Sequence, residues 1–311
     1  MTWPQSAVAL VGPTASGKSA LAHAFALQSA GDVEILSVDA MSVYRGMDLG
    51  TAKPTPQERR EVTYHLLDLV EPSEEFTVAQ FQRAATVAAQ CVEGVGHSAL
   101  YVGGTGLYGR AVLDNLDIPA RYPDIRLDLE ERAERDLGSL YAQLLALDPV
   151  AASRLEATNA RRVVRALEVT LGAKRPFSSY GEGLLTYGPV RVVQVGLDTE
   201  VEVLNERIAT RFRTWMDEGL LEEVSRLASA PGGMGRTARQ AVGYKELLRH
   251  LEDAVPLEQC VDEAITHSRR LARRQRAWFR RDPRVEWFAG IDDAAARLRE
   301  VLNGFNSFVR D

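Results

Sequence analysis

Residues 7–22 read AVALVGPTASGKSALA, and this stretch decides how the rest of the chain is interpreted. An apolar run leads into two glycines with four residues between them, then Lys18 and Ser19, then an Ala/Leu-rich helical pattern. The order strand, glycine loop, helix is the P-loop pattern. Inward backbone N–H groups, the helix N-terminus and Lys18 form a seat for two linked phosphates, and the Ser19 hydroxyl can ligate Mg²⁺. The pattern leaves open whether those phosphates belong to a nucleotide such as ATP or to another molecule.

Length and composition favour one large domain, or a core domain that carries an insertion. The chain has 311 residues, of which 45% are hydrophobic, so it can bury a sizeable core. It has no run of about 18 apolar residues and no secretion-signal pattern. We therefore expect a cytoplasmic protein that makes no membrane contact, and we expect it to act as a monomer.

Positive charge is concentrated in one segment, although the chain as a whole is acidic. The net charge is −6, yet residues 265–285 contain eight arginines and one aspartate, which leaves −13 for the rest. This asymmetry indicates an anionic polymer as a partner. Four arginines recur there at helical spacing beside two aromatic residues: Arg269, Arg273, Arg276, Arg280, Trp278 and Phe279. Such a stripe suits a nucleic-acid backbone with stacked bases, and the alternative is a face of structural salt bridges.

Two further predicted strands end in polar residues. Residues 33–38 form an apolar strand pattern that ends at Asp39, and residues 99–102 lead into a glycine turn that carries Thr105. Open α/β sheets bind their ligands at the carboxyl ends of the strands. We therefore expect the P-loop, Asp39 and Thr105 to meet at one edge of a parallel sheet. The fold class is α/β, a P-loop NTPase-like core with helices flanking the sheet, plus an all-helical insertion domain.

Helical patterns interrupt this α/β order and define the insertion. Strand patterns return only after residue 187, so we expect a core domain formed by residues 1–116 and 188–311. The helical insertion domain then spans residues 117–187. In it Arg161 and Arg165 lie on one helix face, and a solvated surface is the simplest interpretation of that pair taken alone.

Two segments of the core domain carry further basic residues. A long helix is predicted over Val201–Leu227, with Arg207 and Arg211 one turn apart on its polar side. The polar loop at residues 40–54 carries Lys53, and loops of this length beside a phosphate site are usually functional. Lys53 is therefore a candidate for a further phosphate or diphosphate contact.

Seven motifs in a fixed order carry a resemblance to a known family. They are GPTASGKS (12–19), DAMSVYRGMD (39–48) with GTAKP (50–54), HLLDLVEP (65–72), VGGTGLY (102–108), RRVVRALEV (161–169), QAVGYKE (240–246) and ARRQRAWFR (272–280). With these motifs the chain resembles the bacterial tRNA dimethylallyltransferases, also called tRNA isopentenyltransferases. The motifs span nearly the whole chain, and seven in sequence are far more specific than the P-loop alone.

The resemblance implies a reaction. In that family a dimethylallyl group moves from dimethylallyl diphosphate to N6 of adenine 37, beside the anticodon of tRNAs that read codons beginning with U. The products are N6-dimethylallyladenosine and diphosphate, so the P-loop would hold a leaving group rather than ATP, with Mg²⁺ as cofactor at Ser19. The implied diphosphate-binding residues are Gly12, Pro13, Thr14, Ala15, Ser16, Gly17, Lys18 and Ser19.

The resemblance also implies roles for individual residues. Asp39 matches the general base that takes a proton from the adenine amine, and Thr105 matches the residue that assists at the same amine. The resemblance also implies that Arg207 and Arg211 are further phosphate or diphosphate contacts. The implied tRNA contacts, joined by two residues of the arginine stripe, are Asp39, Ala40, Met41, Ser42, Thr105, Arg126, Arg161, Arg162, Val163, Val164, Arg165, Arg273 and Arg276. Adenine 37 would have to leave the anticodon stack to reach the allyl carbon.

Three other functions use some of the same residues. A small-molecule P-loop kinase would need the phosphate seat, Asp39 and a helical lid, but it leaves the arginine stripe without a task. An isopentenyltransferase acting on free adenine nucleotides needs the same chemistry and no polymer. A non-catalytic RNA-binding protein would not need Lys18, Ser19 and Asp39, all of which are present.

Overall fold

The structure is a computed structural model that describes residues 7–29, 31–181, 184 and 186–308. The chain forms two compact units, an α/β unit made of Met1–Asp114 with Pro189–Asp311, and a helical unit made of Asn115–Gly188. No helix in the described part of the chain is long and apolar enough to cross a membrane.

The α/β unit is built on one parallel sheet. In chain order its strands are β1 (Ala7–Val11), β2 (Val33–Ser37), β3 (Tyr64–His65), β4 (Ser98–Gly103), β5 (Val193–Leu197) and β6 (Val285–Phe288). Their order across the sheet is β3-β2-β4-β1-β5-β6, and every pairing is parallel. The α/β class with a parallel sheet, predicted from the sequence, is confirmed.

Twelve α-helices occur among the described residues. They are α1 (Lys18–Gln28), α2 (Glu58–Glu61), α3 (Val78–Gly94), α4 (Gly106–Leu113), α5 (Pro123–Leu147), α6 (Pro149–Ser153), α7 (Ala160–Ala173), α8 (Val201–Asp217), α9 (Leu220–Ser229), α10 (Tyr244–Asp253), α11 (Leu257–Arg280) and α12 (Ile291–Phe308). Helices α5, α6 and α7 belong to the helical unit, and the others belong to the α/β unit.

Helices cover both faces of the sheet. Strand β1 is therefore buried over its whole length. Successive side chains of a strand point to opposite faces. Val8 and Leu10 pack with residues of α1 and α12. Ala9 and Val11 pack with residues of α3, α8, α10 and α11 on the other face. The loop that follows β1 therefore starts from the centre of a sheet that is fixed on both sides.

The helical unit has a core of its own. Helix α5 contains a kink at Asp136, whose φ of −154° and ψ of 85° are not helical. Leu140 and Leu144, beyond the kink, pack with Leu167 of α7 in a buried cluster. Asn159 caps α7, since its side-chain oxygen accepts a hydrogen bond from the N–H of Arg162 at 3.2 Å.

One predicted element is wrong in its length. The apolar spacing predicts a single helix over residues 201–227, whereas the chain forms α8 and then α9. The break lies at Gly219, which has a φ of 101°, a left-handed conformation that favours glycine. The apolar spacing continues across this turn, so periodicity alone does not reveal it.

Candidate active site

The glycine loop between β1 and α1 has the features of an anion seat. The first N–H groups of a helix have no partner within the helix and point along its axis. Lys18 begins α1, and its ammonium donates to the carbonyl oxygen of Pro13 at 3.1 Å. Burial, and then the positive charge of Arg211, lower the pKa of Lys18 to about 8, while the negative charge of Asp39 acts in the opposite direction. The Ser19 hydroxyl is exposed on the same first turn.

Two arginines of α8 reach this loop from its other side. Arg211 donates to the Thr14 hydroxyl at 2.7 Å and lies over the ring of Trp215, with 4.6 Å between the guanidinium carbon and the ring centroid. Arg207 donates to the carbonyl oxygen of Ala15 at 3.4 Å. The structure thus brings both predicted phosphate contacts, Arg207 and Arg211, to the P-loop.

Buried donors at the loop lack acceptors within the protein. Burial lowers the pKa of Arg211 to about 10. In the described part of the chain, neither Arg211 Nε nor the Ser16 hydroxyl has a hydrogen-bond partner. Donors without acceptors, next to two charged groups and a helix N-terminus, are what a polyanion such as diphosphate requires.

Asp39 and Thr105 meet beside the loop, as predicted from the ends of β2 and β4. One carboxylate oxygen of Asp39 accepts from the N–H groups of Met41 at 2.8 Å and Ser42 at 3.2 Å. The other accepts from the Thr105 hydroxyl at 3.2 Å, and that hydroxyl accepts in turn from the N–H of Ala40 at 3.3 Å. The carboxylate is therefore held in one orientation by backbone and side-chain donors.

The residues after Asp39 differ in their surroundings. Ala40 and Met41 are partly exposed, whereas Ser42 is buried and its hydroxyl lies 3.2 Å from that of Ser37. Of the expected tRNA contacts in this segment, Ser42 therefore lies in the protein interior, whereas Ala40 and Met41 remain accessible in part.

Lys53 lies in an ion cluster in which it is almost fully buried, but its carboxylate partners are partly exposed, Asp48 at 53% and Asp68 at 27% of the side chain. Its side chain is 1% exposed, and its ammonium donates to the Tyr44 carbonyl at 2.6 Å, Asp48 at 2.9 Å and Asp68 at 2.5 Å. Burial acts to raise the pKa of Asp68, but hydrogen bonds from Lys53 and Arg59 outweigh it and hold that pKa below its usual value. Three acceptors use all three N–H groups of Lys53, so the predicted phosphate contact has no free donor here.

The arginine stripe of α11 has two kinds of member. Arg276 donates to Asp198 at 3.0 Å, and Arg280 binds the same carboxylate. Arg269 donates to the carbonyl oxygen of Asn205 at 3.2 Å. Arg273 is exposed, as are its neighbours Arg270 and Arg274. The salt-bridge alternative therefore applies to Arg276 and Arg280, and the exposed arginines form the accessible positive surface.

In the helical unit, a buried carboxylate organises the expected RNA contacts. Glu168 is fully buried, accepts hydrogen bonds from the N–H of Tyr122 at 2.9 Å and from Arg126 at 3.2 Å, and forms an ion pair with Arg165 at 2.8 Å. Arg161 and Arg162 are exposed. Val163 and Val164 are buried in the core of this unit, so their side chains are not on its surface.

Several residues of this architecture were not predicted from the sequence. Asp198 and Glu168 bind the arginines just described, and Gln275 of α11 accepts a hydrogen bond from the backbone of Thr14 at 2.8 Å. No local pattern marks Asp198 or Gln275, because their bonded partners lie 78 and 261 positions away in the chain. Two quoted motifs could have drawn attention to two of these residues: Glu168 lies in RRVVRALEV, three residues after Arg165, and Gln275 lies in ARRQRAWFR.

This fold and loop define a class, an α/β protein with a P-loop-like core whose sheet edge is built around an anion seat. The IPP transferase family model matches residues 42–282. The tRNA dimethylallyltransferase of Paenarthrobacter aurescens (strain TC1) is 43% identical over 290 residues, which are 93% of this chain and 92% of that protein. The protein of the same name from Salinispora arenicola (strain CNS-205) is 45% identical over 298 residues, covering 94% and 86%.

Solved structures agree with this assignment. The full-length tRNA isopentenylpyrophosphate transferase from Bacillus halodurans has a TM-score of 0.69 and 34% identity, covering 99% of this chain and 100% of that one. A eukaryotic dimethylallyltransferase acting on tRNA shares the fold, with a TM-score of 0.77 at 24% identity over 97% and 80% of the two chains. The chain belongs to the IPP transferase family, and it is a transferase.

Proposed function

We propose that this protein transfers a dimethylallyl group from dimethylallyl diphosphate to N6 of adenine 37 in tRNAs that read codons beginning with U. Membership of the IPP transferase family supports the type of reaction. The observation that carries the proposal is the meeting of the Asp39–Thr105 pair with the cationic P-loop at one sheet edge. That arrangement pairs a proton acceptor with a seat for a diphosphate leaving group.

The cations of the loop act on the leaving group. As the allylic C–O bond breaks, its electron pair stays on the diphosphate, and negative charge grows on the oxygen atoms there. Lys18, Arg207, Arg211 and the N–H groups at the start of α1 are fixed around that position before the reaction begins. Preorganised donors of this kind stabilise a developing charge at little reorganisation cost.

The Asp39–Thr105 pair acts on the nucleophile. The exocyclic nitrogen of adenine attacks the allylic carbon, a C–N bond forms, and the nitrogen then carries an extra proton. The Asp39 oxygen bonded to Thr105 is the acceptor for that proton, because the other oxygen is occupied by two backbone N–H groups. Thr105 keeps the accepting oxygen oriented toward the amine.

The side chains of this site would bind Mg²⁺ only together with the oxygen atoms of a bound substrate. Among the described residues, no group of three or more His, Cys, Asp or Glu side chains is arranged to hold a metal ion. Mg²⁺ commonly takes few protein ligands and completes its shell with phosphate oxygens and water. The exposed Ser19 hydroxyl would be its protein ligand, and when bound the ion would supply further neutralisation of the diphosphate charge.

Exposed basic residues of both units would take up the tRNA. In the α/β unit these include Arg273 of α11, and in the helical unit they are Arg161 and Arg162, with Arg126 and Arg165 held by Glu168. Phosphate contacts fix the register of an RNA, while the base itself enters the site. We propose that adenine 37 is flipped into the site while the helical unit grips the anticodon loop, that the protein acts as a monomer, and that the reaction takes place in the cytoplasm.

A labelled-transfer assay tests the proposal. The protein is incubated with radiolabelled dimethylallyl diphosphate and unmodified bulk tRNA, without ATP, and nuclease digests are analysed for modified nucleosides. We expect label in N6-dimethylallyladenosine from tRNA. Label in AMP and none in tRNA would instead identify an enzyme of free nucleotides, and label in tRNA without ATP would exclude a kinase.

A further inference from the structure

Helix α11 packs directly on the turn that carries Thr105. The turn reads Gly104-Thr105-Gly106, and each of its glycines faces a side chain of α11. A Cβ atom on Gly104 would lie 2.8 Å from the amide nitrogen of Gln275 and 3.1 Å from the carbonyl oxygen of Gly12. A Cβ atom on Gly106 would overlap the ring of Trp278. The two glycines are therefore required by close approach of α11 on either side of Thr105.

The same Gln275 side chain also holds the P-loop. Its carbonyl oxygen accepts the N–H of Thr14 at 2.8 Å, while the Thr14 hydroxyl accepts from Arg211 at 2.7 Å. A carboxamide has an acceptor at one end and a donor at the other. Gln275 thus touches the diphosphate loop with its oxygen and lies against Gly104 with its nitrogen.

Helix α11 has anchoring contacts before and after Gln275: Arg269, before it, donates to the carbonyl oxygen of Asn205, and two further contacts follow it. Arg276 binds Asp198, which follows β5, and Trp278 packs on Gly106. Arg273 and Arg274, in contrast, are exposed on α11 just before Gln275. Removing the carboxamide should therefore leave α11 in place and change only its hold on the two loops.

We propose that Gln275 is a positioning residue for the transfer reaction. Its carboxamide fixes the P-loop at Thr14 relative to the turn that carries Thr105, and so sets the separation between the bound diphosphate and the Asp39–Thr105 pair. This inference rests on the proposed function for its effect on catalysis, but the effect on diphosphate binding does not depend on it. Small displacements of reacting groups are costly, since a shift of about 1 Å can reduce a rate by about 10²-fold.

The test compares Gln275→Met with Ala277→Met. The first removes both polar ends of the side chain at similar length, and the second places the same methionine on an exposed position of α11. Inorganic diphosphate binding is measured by calorimetry without tRNA, kcat and KM by labelled transfer, tRNA affinity by filter binding, and the unfolding temperature by calorimetry. For Gln275→Met we expect about fivefold weaker diphosphate binding and a kcat lower by about tenfold, with tRNA affinity unchanged.

Gln275→Asn is the second variant, because it keeps the amide but is too short by one carbon to reach Thr14. We expect the same loss of diphosphate affinity, in a protein that unfolds at the parent temperature, and no loss in Ala277→Met. Diphosphate affinity within twofold of the parent in either folded Gln275 variant would overturn the inference. If the parent transfers no dimethylallyl group, the proposed function fails, while the diphosphate titration still decides the role of Gln275.

Discussion

Lys18 and Lys53 are both shielded from solvent, Lys18 partly and Lys53 almost fully, yet their surroundings are opposite. Lys53 is bound by two carboxylates and a carbonyl oxygen, so its charge is matched within the fold. Lys18 donates to the carbonyl oxygen of Pro13, lies near the cation Arg211, and has its pKa lowered to about 8. Asp39 offsets only part of the Lys18 charge, and a shielded cation of this kind is costly unless a ligand supplies the remaining negative charge. Lys53 therefore stabilises the fold, whereas Lys18 is placed to bind an anion.

We expect the largest effect on transfer from replacing Lys18, the lysine of the P-loop. Lys18→Met should lower kcat/KM for dimethylallyl transfer by about 10³-fold, because one preorganised charge at the leaving group is lost. The measurement is the labelled-transfer assay with saturating tRNA. Lys53→Met is the matched control, and its folded fraction should retain transfer; equal losses in both variants would remove the distinction between the two lysines.

Asp39 should have the next largest effect. Asp39→Asn should lower transfer by about 10²-fold or more while tRNA affinity stays near that of the parent, since the base is lost but the side chain keeps its shape. Rates come from single-turnover transfer and affinities from filter binding. Transfer within a few-fold of the parent would exclude Asp39 as the general base.

The compensated lysine should show its role in stability. Lys53→Met leaves Asp48 and Asp68 without their shared cation, but both carboxylates are partly exposed and Asp68 keeps its bond to Arg59, so we expect a loss of about 1 to 2 kcal/mol of unfolding free energy. Urea unfolding followed by circular dichroism measures this cost. A stability equal to that of the parent would show that the cluster is not structural, and would reopen a ligand role for Lys53.

The pH dependence should also distinguish the lysines. The pKa of Lys18 is lowered from 10.5 to about 8 in the unliganded protein, so the ammonium loses its proton as the pH rises through that value. Inorganic diphosphate affinity should fall several-fold between about pH 7 and pH 9 in the parent relative to Lys18→Met, which cancels the titration of diphosphate itself. If diphosphate affinity changes with pH equally in both proteins, Lys18 is not the group that titrates.

The same shift has a defined sign in folding stability. The folded-state pKa lies below the unfolded value, so the cost of burying the charge is present below about pH 8 and is relieved as the pH rises from there toward about 10.5. The parent should therefore gain stability relative to Lys18→Met over that interval. Urea midpoints of the two proteins at a series of pH values measure the gain, and a constant difference would contradict it.

The smallest effect concerns the arginines of α11, which divide in the same way as the lysines. Arg273→Ala should flatten the dependence of log tRNA affinity on log salt by about one counterion. Arg276→Ala should change that slope less, because Arg276 already binds Asp198. Salt titrations of tRNA binding give the slope for each variant and for the parent. An equal flattening in both variants would assign both arginines to the RNA surface.

The sequence predicts what local patterns determine. The strand, loop and helix around Gly12–Ser19 lie in one stretch, and the convergence of Asp39 with Thr105 follows from parallel strands ending at one edge. Contacts between distant residues were not predictable in this way. The partners of Lys53, Arg276 and Gln275 are chosen by tertiary packing, which neither spacing nor composition records.

The helix break at Gly219 is a different case. Apolar residues recur at helical spacing on both sides of it, so the periodic signal runs through a turn that depends on backbone conformation. A single glycine is a weak marker of such a turn, since glycine also occurs within helices. The wrong helix length does not affect the prediction for Arg207 and Arg211, because both lie in α8 before the break and both reach the loop.

Calorimetric titration of inorganic diphosphate into the parent, Lys18→Met and Lys53→Met at neutral pH tests the central contrast most directly. We expect Lys53→Met to bind diphosphate with the parent affinity per folded molecule, and Lys18→Met to bind it at least about tenfold more weakly. Parent-like binding by Lys18→Met, or an equal loss in Lys53→Met, would contradict the account.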